Sequence, residues 1–210
     1  MKVLVIGAGN MGSAFVKQLS AAGHQVSVTA RDLAKAQAVA AAHTGAVAVA
    51  ASNAGAGADV VVLATGYADA VNALSSVGDL SGKVVIDITN PLTADYMGLT
   101  IGHNTSASEE IANAVPGAEV VKAFNTVFAQ MLADGADLGN GQTVTVFVAS
   151  DSERAKQSAK TLAESMGFAT VDAGGLKNAR YLEPLAGFNI YLGYGAGLGT
   201  SIAPTWIKRA

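Results

Sequence analysis

Three glycines stand where chemistry could be done without a reactive side chain. Gly7-Ala8-Gly9-Asn10-Met11-Gly12 follows the apolar run Val3-Leu4-Val5-Ile6 and precedes Phe15, Val16 and Leu19 at helical spacing. Between a buried strand and an amphipathic helix, each glycine has a separate task. The first permits a tight turn, the second lets a pyrophosphate approach the backbone, and the third lets helix and strand pack closely. The helix N-terminus then offers unpaired N–H groups to the anion. The spacing therefore predicts a dinucleotide site built on Gly7, Gly9, Asn10, Met11 and Gly12.

A second run, Val26 to Thr29, ends in Thr29-Ala30-Arg31, with Lys35 one helical turn further on. Sites that hold an unphosphorylated ribose usually carry a carboxylate here. The planar fork of Arg31 instead suits a 2′-phosphate, Lys35 can reach the same group, and Thr29 adds a hydroxyl. NADP(H) is the expected cofactor. The competing explanation is an ordinary solvated face, with Lys35 beside Asp32. Asp32 itself reads as the cap of the next helix.

Two further loops follow apolar runs. Ala64-Thr65-Gly66 ends Val60–Leu63, and Asn90-Pro91 ends Val84–Ile88. Both should lie at the carboxyl edge of a parallel sheet and border the nicotinamide. Asn90-Pro91 reads equally as a turn initiator. Phe124, Asn125 and Thr126 close a strand from Val120 to Phe124. They suit either a ring contact, with Asn125 the candidate, or strand-end packing. No catalytic residue and no metal site is assigned, because the three histidines are widely separated and lack ligand spacing. His24 reads as structural, His43 as exposed, and His103 as part of a Gly-His-Asn loop that could approach a ligand.

The elements that position these residues alternate. Helices are expected over Met11–Ala22, Asp32 to about Ala42, Tyr67 to about Val77, after Ser106 and over Ser152 to Met166. Strands are expected at Val3–Ile6, Val26–Thr29, Val47–Val49, Val60–Ala64, Val84–Ile88, Val120–Phe124, Val144–Val148 and Phe168–Val171. From Ala179 onward the pattern reads as helices broken at Pro184 and Pro204. Strands separated by helical crossovers pair in parallel. The fold class is α/β, a Rossmann-type doubly wound, mostly parallel sheet with a small C-terminal helical extension. Residues 1–125 form the dinucleotide-binding core. Residues 126–210 complete the sheet and cover an acceptor site, all in one compact unit.

The 210 residues have a formal charge of −3 and no basic stripe, which argues against nucleic acid as a partner. They contain no cysteine, so thiolate and disulfide chemistry is absent. The first apolar run stops at Gly7, too early for a signal peptide. Pro184 to Ile207 carries no charged residue, but Asn189, Pro204 and repeated glycines dilute its hydropathy. That segment reads as a close-packed helix or a subunit interface and not as a membrane span. A cytoplasmic homodimer is expected.

Gly7 to Gly12, Arg31 with Lys35, Asp87-Ile-Thr-Asn-Pro91, Thr105-Ser-Ala-Ser-Glu109 and Lys122-Ala-Phe-Asn-Thr126 occur in this order, before a glycine-rich tail. Together they resemble the F420-dependent NADP oxidoreductase family, and the cytoplasmic domains of the STEAP metalloreductases look similar. The resemblance implies hydride transfer between NADPH and a flavin or deazaflavin, with F420, FMN or FAD as the small-molecule acceptor. It also implies a C-terminal part that helps cover the site, often in a homodimer. Where the family has Ser before the arginine this chain has Ala30, so one hydrogen bond to the phosphate is lost. Two other readings remain. Gly9-Asn-Met-Gly12 also opens imine and pyrroline-carboxylate reductases, and a non-catalytic NADP(H) sensor would share the fold.

Overall fold

Alternate residues of the first strand pack on opposite faces of one sheet. Val3 and Val5 join a cluster with Phe15, Val16 and Leu19, while Leu4 and Ile6 join another with Leu74, Val77 and Ile111. A strand covered on both faces has no reason to alternate with polar residues, hence its unbroken apolar run. The computed structural model describes residues 1–139, 141–206 and 209.

The central sheet has six parallel strands in the order β3-β2-β1-β4-β5-β6. They are β1 (Lys2–Ile6), β2 (Gln25–Thr29), β3 (Ala46–Ala48), β4 (Val60–Leu63), β5 (Val84–Asp87) and β6 (Glu119–Lys122). Helices α1 (Asn10–Ala21), α2 (Leu33–Ala41), α3 (Ala70–Ser76) and α4 (Ala107–Ala114) connect them, with a 3-10 turn at Tyr67–Asp69 leading into α3. The strand order reverses between β1 and β4, so the loops leaving these two strands diverge and open a crevice at the carboxyl edge.

Local signals set the helix starts. Asp32 Oδ1 accepts a hydrogen bond from the Ala34 amide at 3.0 Å, and Ser106 Oγ accepts one from the Glu109 amide at 3.2 Å. Gly23, with φ +81°, lets the chain leave α1.

After β6 the chain forms α5 (Ala129–Asp134), the antiparallel pair β7 (Asp137–Gly139) and β8 (Gln142–Thr143), then β9 (Thr145–Val148), α6 (Glu153–Ser165), β10 (Ala169–Asp172) and α7 (Ala179–Ile190). Strands β9 and β10 pair in parallel. An antiparallel bridge joins them to the sheet edge, with Lys122 N–H donating to Ala149 O at 2.9 Å and the reverse bond at 3.0 Å.

Several expectations need correction. Strand β6 stops at Lys122, two residues early, because buried Phe124 has φ +60°. Its ring is held edge-on between Phe15, 5.0 Å away, and Phe168, 5.9 Å away, and that packing offsets a backbone cost of order 1–3 kcal/mol. Helix α7 is not broken at Pro184 but runs through it and continues as a π-helical turn, Tyr191–Gly195. Interior proline costs about 3 kcal/mol. Tertiary bonds on both sides hold the helix: Arg180 to Glu109 at 2.7–2.8 Å, Glu183 to the start of α4, and Asn189 Nδ2 to Thr126 O at 3.1 Å.

Among the described residues no helix follows Gly195, so there is none to break at Pro204. Ile207, the end of the uncharged segment, lies outside them. Helix α5 and the β7–β8 pair escaped the sequence reading. Helix α5 is too short to show a period and is tied to α1 through Lys17 Nζ and Gln18 Nε2, both donating to Ala133 O. His43 is half-buried at the end of α2 and not exposed. Among the described residues no helix is long and apolar enough to cross a membrane.

Candidate active site

The loops after β1, β2 and β4 line a cleft of about 590 Å³ at the reversal point. Gly7 has φ +119°, and a Cβ there would overlap the carbonyl oxygen of Ala64; a Cβ on Gly12 would overlap that of Gly7. These two glycines are demanded by the fold. Gly9 is different: a Cβ there would meet nothing within 4 Å. Its backbone is extended, with φ −83°. The space in front of it, at the N-terminus of α1, is open, and a helix N-terminus of this kind can face an anion.

The same cleft is lined by Thr29, Ala30, Arg31 and Lys35 from the end of β2 and the start of α2, and by Ala64, Thr65 and Gly66 from the end of β4. The Thr29 hydroxyl is buried and has no hydrogen-bond partner among the described residues. Thr29 contributes its carbonyl, which accepts from the Gly7 amide at 2.8 Å. Lys35 is exposed, with no ion pair among the described residues. Arg31 reaches across the cleft to Asp69 at 3.3 Å.

A second cavity, about 210 Å³, lies on the other side of the glycine turn. Met11, Asn90 and Asn125 line it, with apolar walls from Ile88, Phe128 and Ile190. Asn90 Nδ2 donates to Asn125 O at 2.9 Å, and Asn125 Nδ2 donates to Asn90 Oδ1 at 3.0 Å and to Leu182 O at 2.9 Å. Asn125 Oδ1 is buried and has no partner among the described residues. Asn10, at the start of α1, is exposed and lines neither cavity, and Gly12 is buried beneath the turn. Pro91 is buried too, its carbonyl accepting from the Thr100 amide at 2.7 Å. The proline thus closes a loop and lines neither cavity. His103 is exposed and lines a different cavity, beside Lys177 and Tyr181.

Sequence reasoning missed what holds Asn90. Lys122 is fully buried, with Nζ 2.8 Å from Asp87 Oδ2 and 2.9 Å from Glu183 Oε1, and it donates to Thr89 O at 2.6 Å. All three of its N–H bonds are used. Asp87 also accepts from the Thr89 amide at 2.8 Å and from Ser108 Oγ at 2.6 Å. Glu183 accepts from the Ala107 and Ser108 amides at the start of α4. One cation faces two carboxylates, and the positive end of α4 supplies the missing compensation. Both ends of the Thr89 backbone are clamped, which sets the chain just before Asn90. The available signal was a charged residue closing each of two short strands with apolar centres, Val84–Asp87 and Glu119–Lys122.

Tyr67 follows Gly66 and donates a hydrogen bond to Glu110. Burial first, then that bond and the charges of Glu110, Glu183 and Asp87, push its phenol up to about 12. Tyr67 is therefore a neutral donor near pH 7 and a poor general acid.

A parallel sheet in this order, with a glycine turn at its reversal and cations at the next strand end, defines a Rossmann-type dinucleotide-binding protein. The family model described as NADP oxidoreductase, coenzyme F420-dependent, matches residues 2–91. The F420-dependent NADP reductase of Methanothermobacter marburgensis is 31% identical over 88% of this chain and 89% of its own length. The chain belongs to this F420-dependent family of NADP oxidoreductases. A solved structure from Arthrobacter sp. FB24, provisionally assigned as an F420-dependent NADP reductase, has a TM-score of 0.85 at 31% identity, covering 96% of both chains. The rat metalloreductase STEAP3 is 32% identical over 60% of this chain, which spans only 24% of that protein. A solved imine reductase shares the fold at 22% identity.

Proposed function

We propose that this chain transfers hydride between NADP(H) and a deazaflavin of the F420 type, with the nucleotide in the larger cleft and the acceptor against the second cavity. The observation that carries this is the arrangement of the two spaces on either side of one glycine turn. One has the open cradle at Gly9 and two cations at its far end. The other is mostly apolar, with a locked asparagine pair. Open space at Gly9, and a Lys35 and an Asn125 Oδ1 without partners among the described residues, all fit a bound dinucleotide.

NADPH bound there supplies the hydride, and the ring chemistry belongs to the two cofactors. This chain's residues bind, orient and exclude water. Amides at the start of α1 hold the pyrophosphate, and Arg31 and Lys35 hold the 2′-phosphate. Asn90 and Asn125 define the polar edge beside the nicotinamide. Phe128, Ile88 and Ile190 keep water from the reacting faces. Direct transfer between aligned rings requires proximity and dryness, not a nucleophile.

Titration with NADPH and NADH, followed by the nicotinamide absorbance with F420, FMN and FAD in turn, tests the reading. Oxidation by F420 supports it. Oxidation by FMN or FAD alone moves the acceptor to a flavin, and turnover of a cyclic imine without either would favour the imine reductase reading, which rests on the Gly9-Asn-Met-Gly12 turn and the shared fold. Binding with no turnover would leave a sensor.

The assembly we propose is a cytoplasmic homodimer. Phe188 and Tyr194 on α7 and its π-turn are 58% and 64% exposed, and the segment around them carries no charge to oppose a second copy. Sedimentation of the wild type against Phe188→Asp checks this; a wild-type monomer would exclude it.

A further inference from the structure

The two acidic residues of the larger cleft are used differently. Asp32 caps α2. Asp69 stands in the capping position of α3, but its carboxylate makes no capping hydrogen bond. It turns across the cleft instead, with Oδ2 3.3 Å from Arg31 Nη2 and Oδ1 accepting from Nη1 at 3.4 Å. Among the described residues its carboxylate has no other partner. The Arg31 side chain is 88% exposed and that of Asp69 47%.

We infer that Asp69 is a specificity-determining residue that competes with the 2′-phosphate for Arg31 and so lowers the preference for NADPH over NADH. This rests on the reading of the cleft as an NADP(H) site. The contact is longer than the 2.7–2.9 Å of a strong guanidinium–carboxylate pair, and it is exposed to solvent and salt, so a phosphate can displace it. Displacement has a cost that only NADPH meets. Arg31 must leave Asp69, and Asp69 is then left near a group of almost two negative charges. The bare ribose of NADH makes no demand on Arg31, so the pair can stay closed. Because Asp69 neither caps a helix nor joins the core, its replacement does not threaten the fold.

The test measures NADPH and NADH dissociation constants for the wild type, Asp69→Asn and Asp69→Ala, at low and high salt, with thermal melts of each. Asp69→Asn is expected to tighten NADPH by about three- to tenfold and to change NADH by less than about twofold. Asp69→Ala should move the same way, and the gain should shrink at high salt. Weaker NADPH binding in either variant, or equal changes for both nucleotides, overturns the inference while leaving the cleft assignment in place. A wild type that binds neither nucleotide removes the cleft assignment, and the inference falls with it.

Discussion

Gly9→Ala separates what the glycine turn does for the fold from what it does for a ligand. The added methyl meets no atom within 4 Å, and the Gly9 backbone, at φ −83° and ψ −168°, is open to alanine. Two small terms then oppose each other. Reduced freedom of the unfolded chain stabilises by about 0.4–1 kcal/mol, while alanine is the poorer residue before a helix, by about 0.5–1 kcal/mol. Their near cancellation leaves the melting temperature within about 4 °C of the wild type. The ligand meets a different surface. The methyl occupies the space where the pyrophosphate must touch the backbone. Overpacking of that kind costs about 1–3 kcal/mol, a loss of roughly fivefold to more than a hundredfold in NADPH affinity. Gly12→Ala is the contrast, because its methyl collides with the Gly7 carbonyl inside the fold and should lower the melting temperature. Thermal melts and a nucleotide fluorescence titration on both variants decide the matter. Wild-type NADPH affinity in a well-folded Gly9→Ala protein would refute the assignment of the cradle.

Three other outcomes follow from the same geometry. Arg31→Ala should weaken NADPH binding by about 1.5–3 kcal/mol and leave NADH little changed; equal losses in a titration would deny Arg31 its place at the 2′-phosphate. Lys122→Met leaves two buried carboxylates without their cation, so stability should fall by about 3–5 kcal/mol, or roughly 6–20 °C in melting temperature. Adding Asp87→Asn should cost less than the two single losses summed, and strict additivity in calorimetry would contradict a shared network. Burial first, and then the nearby N-terminal ammonium, lower the His24 pKa from its ordinary 6.5. Unfolded chains therefore bind the proton more readily, and stability should decline as pH falls through 6.5 toward the folded value. A His24→Gln variant should lose that slope in melts across the range, whereas an unchanged slope would assign it to another group.

Much of the fold was legible because its signals are local. A strand covered on both faces has to be apolar along its length, and β1, β4, β5 and β9 all show such runs. The glycine turn was legible for the same reason, since a turn, a close approach and a tight packing contact each exclude a side chain at a fixed spacing. Asp32 and Ser106 announced their helices within three residues. The reading failed where a distant contact overrides a local preference. Phe124 ends β6 early because two other rings trap it, and Pro184 does not break α7 because bonds to β6, α4 and the loop after β6 hold both sides of it.

The sequence by itself determined a parallel nucleotide-binding sheet, the place of the turn and the cations at the end of β2, all properties of short segments with a strong period or a steric demand. Tertiary structure alone decided which of those residues line a cleft and which are buried beneath it. It withdrew the Thr29 hydroxyl and Pro91 into the interior and locked Asn90 to Asn125. It also buried Lys122 between Asp87 and Glu183, and set Asp69 against Arg31. Charges and amides carry no period that reveals a partner far along the chain, so these pairings exist only once the sheet has brought the loops together.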